Sequence, residues 1–345
     1  MDDPLRHHGD VEARGAVLDF AVNVYDGPRP RWLDDALHAS IDAAGAYPDA
    51  DRARSAAARH HRRPQDGVLV TAGAAEAFTL VARLRPWRRP VVVHPQFTEP
   101  HAALEQAGHR VTPVVLPPPY TLDPALVPDD ADLVVVGNPT NPTGVLHPAD
   151  EIRALLRPGR VVVVDEAFMD CVPGETESLA GVRLPGLVVI RSLTKHWGIP
   201  GIRAGYLVGD AMVVTGLALN QTPWSVGTTA AAAVEACTTP VAATEAHRRA
   251  EQIRDAREHL EKGLADLGID FLPSAASFVL ARPGAGVHDE LRAQGIAVRR
   301  ADTFPGLDES WIRVAVRAPE VTDRLLAALS RLPHRPPMPP PPQQR

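Results

Sequence analysis

The sequence predicts an α/β protein, with a large domain built on a mostly parallel central sheet sandwiched by helices and a smaller α+β domain beside it. Three observations predict this. Between residues 68 and 208, short Val-rich runs alternate with amphipathic helical stretches, the pattern of parallel strands linked by helical crossovers. The runs over 133–137 and 161–165 are continuously apolar almost to their ends, as strands covered on both faces require. After Gly227 the alternation gives way to a long helical stretch and an αββαββα-like order. At 345 residues the chain is also too long for one simple core.

Taken in order, residues 1–35 read as an irregular N-terminal segment packed on the small domain, since Pro28 and Pro30 break any helix there. The large domain is expected over 36–228. Helical spacing over 32–44 leads into it, followed by strand 68–71, helix 74–84, strand 91–94, helix 99–107 and strand 111–116. Strands 133–137, 161–165, 187–192 and 204–208 complete its sheet. The small domain, 229–332, follows a helix over 228–237 that stops before Pro240. It holds a long helix over about 242–267 and strands near 271, 277–281, 296–300 and 311–316, with helices over 288–294 and 320–332. Residues 333–345 are proline-rich, have no core-forming pattern and are expected to be disordered.

Composition removes several function classes. A net charge of −6 argues against a nucleic-acid binder, which needs a basic surplus. No apolar run approaches the roughly 20 residues of a membrane span, and the N-terminus carries acids where a signal peptide carries bases. Two cysteines, Cys171 and Cys237, make neither a disulfide framework nor a four-ligand metal site, so no metal and a cytoplasmic location are expected.

The 36 basic residues include only two lysines, Lys195 and Lys262. Arginine replaces lysine as a charge but not as an amine nucleophile, because the guanidinium does not deprotonate. A lysine left in such a chain is a candidate for amine chemistry. Lys262 lies on a charged helical face and reads as solvated. Lys195, in Arg191-Ser192-Leu193-Thr194-Lys195, directly follows a buried-strand pattern.

Open α/β sheets bind ligands at the carboxyl ends of their strands. The polar residues there are Gly73, the run 138–144, Asp165-Glu166, Ser192 to Lys195, and the region of Arg203. The Gly73-Ala74 turn is either a tight connection or an anion site made by a helix N-terminus. The run Asn138-Pro139-Thr140-Asn141-Pro142-Thr143-Gly144 is unusually constrained for a plain turn. Asp165 ends four valines, so its carboxylate is desolvated and calls for a cationic partner, whether an arginine or a ligand. A phosphate site, a buried acid for a ring nitrogen and an amine for an aldehyde together suit pyridoxal 5′-phosphate.

These motifs, with Val164-Asp165-Glu166-Ala167 and Gly201-Ile202-Arg203-Ala204-Gly205-Tyr206, resemble the fold-type I pyridoxal-phosphate enzymes of the class I/II aminotransferase group. The gaps fit as well: 24 residues from Asn141 to Asp165, 30 to Lys195 and 8 to Arg203. The resemblance implies that Lys195 carries the cofactor aldehyde and later moves protons, and that Asp165 pairs with the ring nitrogen. It implies that Asn141 donates to the ring O3′, that Phe97 stacks on the ring, and that Gly73, Ala74, Ser192, Thr194 and Arg203 hold the phosphate. Tyr47 resembles the tyrosine that reaches the partner subunit's cofactor, which implies a homodimer. Phe168 departs from the pattern, where a tyrosine is usual.

For a small amino acid substrate, the resemblance nominates His8, Asn23, Trp224, Arg300, Arg313 and Arg317, with Arg313 as the carboxylate fork. The segments His8-Gly9-Asp10, Pro223-Trp224-Ser225-Val226 and Trp311 to Arg317 look like the threonine-phosphate decarboxylases of cobalamin biosynthesis, relatives of the histidinol-phosphate aminotransferases. Decarboxylation of L-threonine O-3-phosphate is therefore the leading expectation, with 2-oxoglutarate-coupled transamination as the alternative. A non-catalytic regulator that kept the fold is a third reading, opposed by the intact Asp165, Lys195 and Arg203.

Overall fold

All but one of the strands of the large sheet deliver their carboxyl ends to one edge, and the loops with chemical potential leave from that edge. A computed structural model describes residues 4–332. The chain begins with helix α1 (Gly9–Ala13) and strand β1 (Leu18–Phe20), then α2 (Arg31–Asp42) and α3 (Asp51–His60). Next come β2 (Val68–Thr71), α4 (Gly73–Arg83), β3 (Pro90–His94), α5 (Glu99–Gln106) and β4 (Thr112–Val115). They are followed by β5 (Leu133–Gly137), α6 (Ala149–Arg153), β6 (Val161–Asp165), β7 (Leu187–Ser192), β8 (Gly205–Gly209) and α7 (Ala211–Leu219). Helices α8 (Thr228–Cys237) and α9 (Pro240–Asp266) lead to β9 (Asp270–Leu272), β10 (Phe278–Arg282) and α10 (Val287–Ala293). Strands β11 (Ile296–Arg300) and β12 (Ile312–Ala315) and helix α11 (Pro319–Leu329) end the described chain.

The seven-stranded sheet has the order β2-β8-β7-β6-β5-β3-β4, and only β8 runs against its neighbours. Successive valines point to opposite faces, so one strand feeds two cores. Val162, Val164 and Val189 pack with Leu33 and Leu37 of α2 and the alanines of α3 and α8. Val161, Val163 and Val188 pack with Phe78 and Val81 of α4 and Leu217 of α7. The five-stranded sheet has the order β1-β11-β12-β10-β9, and its core joins Phe20, Val279 and Val314 to Leu260 and Leu264 of α9. The helix α9 starts where Thr239 Oγ1 accepts from the Ala242 N–H (3.2 Å), with Pro240 in the first turn.

The structure departs from the sequence expectation in the N-terminal segment and in helices α3, α6 and α7. Residues 1–35 are not irregular throughout, because β1 pairs in parallel with β11, Leu18 opposite Ile296. A three-residue strand has too little alternation to be seen, and its partner lies far along the chain. Helix α3 was not expected, because its buried face is only Ala53, Ala56, Ala57 and Ala58, which gives a weak apolar period. The expected disordered tail, 333–345, lies outside the described residues. Among those residues no helix is long and apolar enough to cross a membrane.

The turn into β7 depends on Gly186, which has φ +76°, and a Cβ there would lie 2.4 Å from the Arg160 carbonyl oxygen. Gly186→Ala therefore combines left-handed strain with a backbone clash. It should lower unfolding stability by about 2–4 kcal/mol, read as an earlier urea midpoint at unchanged m value. A midpoint equal to wild type would mean that the turn relaxes freely.

Candidate active site

Register brings the separate strand ends together. Asp165, last in β6, lies opposite Gly137 of β5 and Ile190 of β7. Ser192, last in β7, lies opposite Gly205, first in β8. A Cβ on Gly205 would stand 3.0 Å from Gly73 Cα, so the start of α4 abuts the same point. Gly73 has φ +75°, and a Cβ on it would reach 2.7 Å from Arg203 Nη2. Ser192 Oγ and Thr194 Oγ1 are 2.8 Å apart. The result is a cradle of two hydroxyls, one guanidinium and the N-terminus of an 11-residue helix, kept open by the missing Gly73 side chain. Such a donor set suits a phosphate dianion. Ala74, the second residue of α4, adds its N–H to the first turn.

Beside the cradle, Asp165 is 8% exposed. Its Oδ1 accepts from the Ala167 N–H at 3.1 Å, and among the described residues it has no ion-pair partner. Burial pushes its carboxyl up to about 6, against the pull of that N–H and of Lys195. Burial brings the Lys195 amine down to about 8, helped by Arg313 and Arg203 and opposed by Asp165 and Asp10. A buried acid with one donor suits a protonated ring nitrogen. A depressed amine suits an aldehyde. The residues present therefore fit pyridoxal phosphate. Lys262, by contrast, is exposed and paired with Asp266 at 2.6 Å.

The loop after β5 folds back through Thr140 N to Val145 O (2.9 Å) and Gly144 N to Thr140 O (2.7 Å), presenting Asn141. Asn141 Oδ1 accepts from Arg313 Nη1 at 2.6 Å, which leaves its Nδ2 as a donor. Arg313 Nη2 donates to the Ala21 carbonyl at 2.6 Å. The Asn23 amide, with its oxygen facing the guanidinium, accepts from Arg313 Nη1 and Nε at 3.0 and 3.1 Å. Phe97 and His8 meet with ring centroids 5.7 Å apart, and His8 Nε2 is 2.7 Å from Glu99 Oε1. Phe168 packs edge-on against Phe278 (4.9 Å), whose ring lies 5.5 Å from the Arg313 guanidinium carbon.

Of the nominated substrate residues, Arg300 and Trp224 stand elsewhere, while Arg317 lines one cavity with Lys195. Arg300 is exposed and bonded to Asp302 through Nε (2.7 Å), because it is on the opposite face of β11 from Arg299. Arg317 is buried, but its donors serve the carbonyls of Asp19, Val22 and Val24, so it fastens the segment after β1 to the small sheet. Trp224 is 62% exposed and stacks on Tyr47, itself 78% exposed, at 4.6 Å. Neither aromatic belongs to this chain's own cluster.

Sequence reasoning passed over two others. Arg299, 2% exposed, lies directly opposite Arg313 in register and donates to the His7 carbonyl and Thr303 Oγ1, each at 2.7 Å. The alternation of β11 carried that signal, with Arg299 inward and Arg300 outward. Arg191, behind Asp165 and Ser192, binds Glu166 at 3.1 Å, Glu175 at 2.7 Å and also Asp170. No local pattern marks it.

A fold of this topology, with a lysine, a buried acid and a phosphate cradle at one sheet edge, defines a pyridoxal-phosphate enzyme. The profile of the family "Aminotransferase class I and II" matches residues 16–329, and the chain belongs to that family. It is 47% identical over 317 residues to a histidinol-phosphate aminotransferase of Mycobacterium tuberculosis, covering 90% of this chain and 87% of the relative. It is 33% identical over 339 residues to the threonine-phosphate decarboxylase of Salmonella typhimurium, covering 91% and 90%. The crystal structure of the histidinol-phosphate aminotransferase from Clostridium acetobutylicum superposes with a TM-score of 0.84 at 25% identity, over 91% of this chain and 98% of that one.

The buried acid sets a pH signature. Its folded value of about 6 exceeds the ordinary 3.8, so between those values the cofactor-free fold holds an extra proton. Stability from this group falls as pH rises from about 4 to 6, and the loss above that is about 3 kcal/mol. Asp165→Asn should therefore raise the melting temperature of the cofactor-free protein at pH 8, much less so at pH 4, while weakening cofactor binding. An unchanged melting temperature at pH 8 would show that the carboxylate is paired in solution.

Proposed function

We propose that this chain is a homodimeric cytoplasmic aminotransferase that exchanges an amino group between a small phosphorylated amine of the histidinol-phosphate type and 2-oxoglutarate. One observation carries the reading. Arg313 and Arg299 are two buried guanidiniums side by side, and among the described residues neither has a carboxylate partner. Burial drives both pKa values down, Arg299 to about 10, so the protein holds them at a cost that an anionic substrate group would offset. A transaminase binds two anions in alternation, the phosphate of one substrate and the carboxylates of the other, which this arrangement suits. The 47% relative carries an aminotransferase name and the 33% relative a decarboxylase name, and this ordering supports transamination.

Gly73, Ala74, Ser192, Thr194 and Arg203 would hold the cofactor phosphate, Asp165 would keep the ring nitrogen protonated, Asn141 Nδ2 would donate to O3′, and Phe97 would flank the ring. The cofactor, when bound, supplies an electron sink for charge developing at the substrate Cα. Lys195 Nζ, which burial brings down to about 8, would take the proton from the substrate Cα and hold it for return to the substrate or cofactor. Arg313, clamped by Asn141, Asn23 and Ala21, would fix the orientation of the substrate anion and so which bond at Cα is broken.

A second reading, decarboxylation of threonine phosphate, is favoured by one feature. His8-Gly9 lies against the site, where a Cβ on Gly9 would come within 3.4 Å of Arg313 Nη2. The homodimer is supported by the exposed Tyr47–Trp224 stack and by α7. That helix is apolar all round, yet Met212 and Leu219 are more than four-fifths exposed. Trp224 also holds φ +60°, a strained backbone for a bulky residue.

Purified holoenzyme should form glutamate from histidinol phosphate and 2-oxoglutarate, and release no carbon dioxide from O-phospho-L-threonine. Arg313→Ala should lower kcat/KM by roughly 100- to 1000-fold, about 3–4 kcal/mol, while retaining the cofactor. Carbon dioxide release without glutamate would establish the decarboxylase instead.

A further inference from the structure

Residues 4–13 form a strap between the two sheets. At the large sheet, Thr98 Oγ1 donates to the Leu5 carbonyl at 2.6 Å, and His8 meets Glu99. At the small sheet the anchor is Glu12, only 4% exposed. Its Oε1 is 2.7 Å from His7 Nε2, and its Oε2 is 3.1 Å from His288 Nε2 and 2.9 Å from Arg292 Nη1, both on α10. Between these anchors the strap backbone passes over the paired guanidiniums. The His7 carbonyl accepts from Arg299, and Gly9 packs on the Ala21 carbonyl beside Arg313.

A five-residue helix such as α1 has too few internal hydrogen bonds to hold itself in place, so the side-chain anchors decide where the strap lies. Glu12 touches none of the nominated cofactor or substrate residues. It holds the His7 side chain, the His7 carbonyl accepts from Arg299, and the Glu12 charge also acts on Arg299 directly.

We propose that Glu12 is a positioning residue for the anion end of the substrate site: by tying His7 to α10 it aims Arg299 and keeps the strap over the cleft. This rests on the reading that the site takes a phosphorylated substrate. Glu12→Gln keeps the volume but removes the charge, and it turns an N–H donor toward His288 or Arg292.

In the holoenzyme, Glu12→Gln should raise KM for the phosphorylated amine about tenfold, with kcat within about twofold and the visible cofactor absorbance unchanged. Inorganic phosphate, used as a competitive probe, should weaken in parallel, and amides of residues 5–13 should exchange hydrogen faster. His288→Gln, a milder variant that removes one anchor, should shift the same readouts in the same direction to a smaller extent. Unchanged exchange in both variants would overturn the proposal. So would faster exchange with unaltered phosphate affinity, since the strap would then be uncoupled from Arg299. If the holoenzyme turns over no phosphorylated substrate, the functional reading fails, while exchange and phosphate affinity still decide the role of Glu12.

Discussion

A carboxylate that the fold buries, with no ion-pair partner among the described residues, governs this molecule. Asp165 sits at the end of β6, between β5 and β7, where it is buried and accepts from the Ala167 N–H. Such a group is unfavourable unless a cation arrives. The parallel sheet makes that arrangement possible, because its strands end together and their loops converge on the same edge. Lys195, the Gly73 cradle and the Asn141 loop are placed by the same alignment.

The contrast with Arg191 separates support from site. Arg191 is as deeply buried, yet it carries Glu166, Glu175 and Asp170, and Glu166 also accepts from Ser178 Oγ and the Leu179 N–H. That network is satisfied, and it braces the ends of β6 and β7 from behind. Asp165, Arg299 and Arg313 are left with neutral partners or a single donor. Among the described residues these three charges are under-paired, whereas Arg191 is fully paired.

The two sheets are joined to the lysine through few, specific contacts. Tyr25 N donates to the Lys195 carbonyl at 2.9 Å. The fully buried Arg249 of α9 reaches the carbonyls of His196 and Pro28, each at 2.9 Å, and its guanidinium carbon lies 4.1 Å from the centroid of the Tyr25 ring. Arg317 gathers the carbonyls just upstream. The segment after β1 is thereby fixed against both the lysine loop and the small sheet, which is why Asn23 and Ala21 can clamp Arg313.

The sequence by itself determined the α/β class, the strands over 133–137, 161–165 and 187–192, the lysine that ends up buried at the sheet edge, and the cofactor of the family. Each of these is written in local pattern: a valine run, a motif, an amine retained in an arginine-rich chain. Only the tertiary structure decided how each arginine is buried and partnered. Arg299, Arg300, Arg313 and Arg317 are chemically identical in the sequence. Strand alternation turns Arg299 inward and Arg300 outward, register sets Arg299 beside Arg313, and the carbonyls of a segment almost 300 residues away occupy Arg317. The short strand β1 was hidden for the same reason. A contact between residues so far apart leaves no periodicity at either end, and only the folded chain records it.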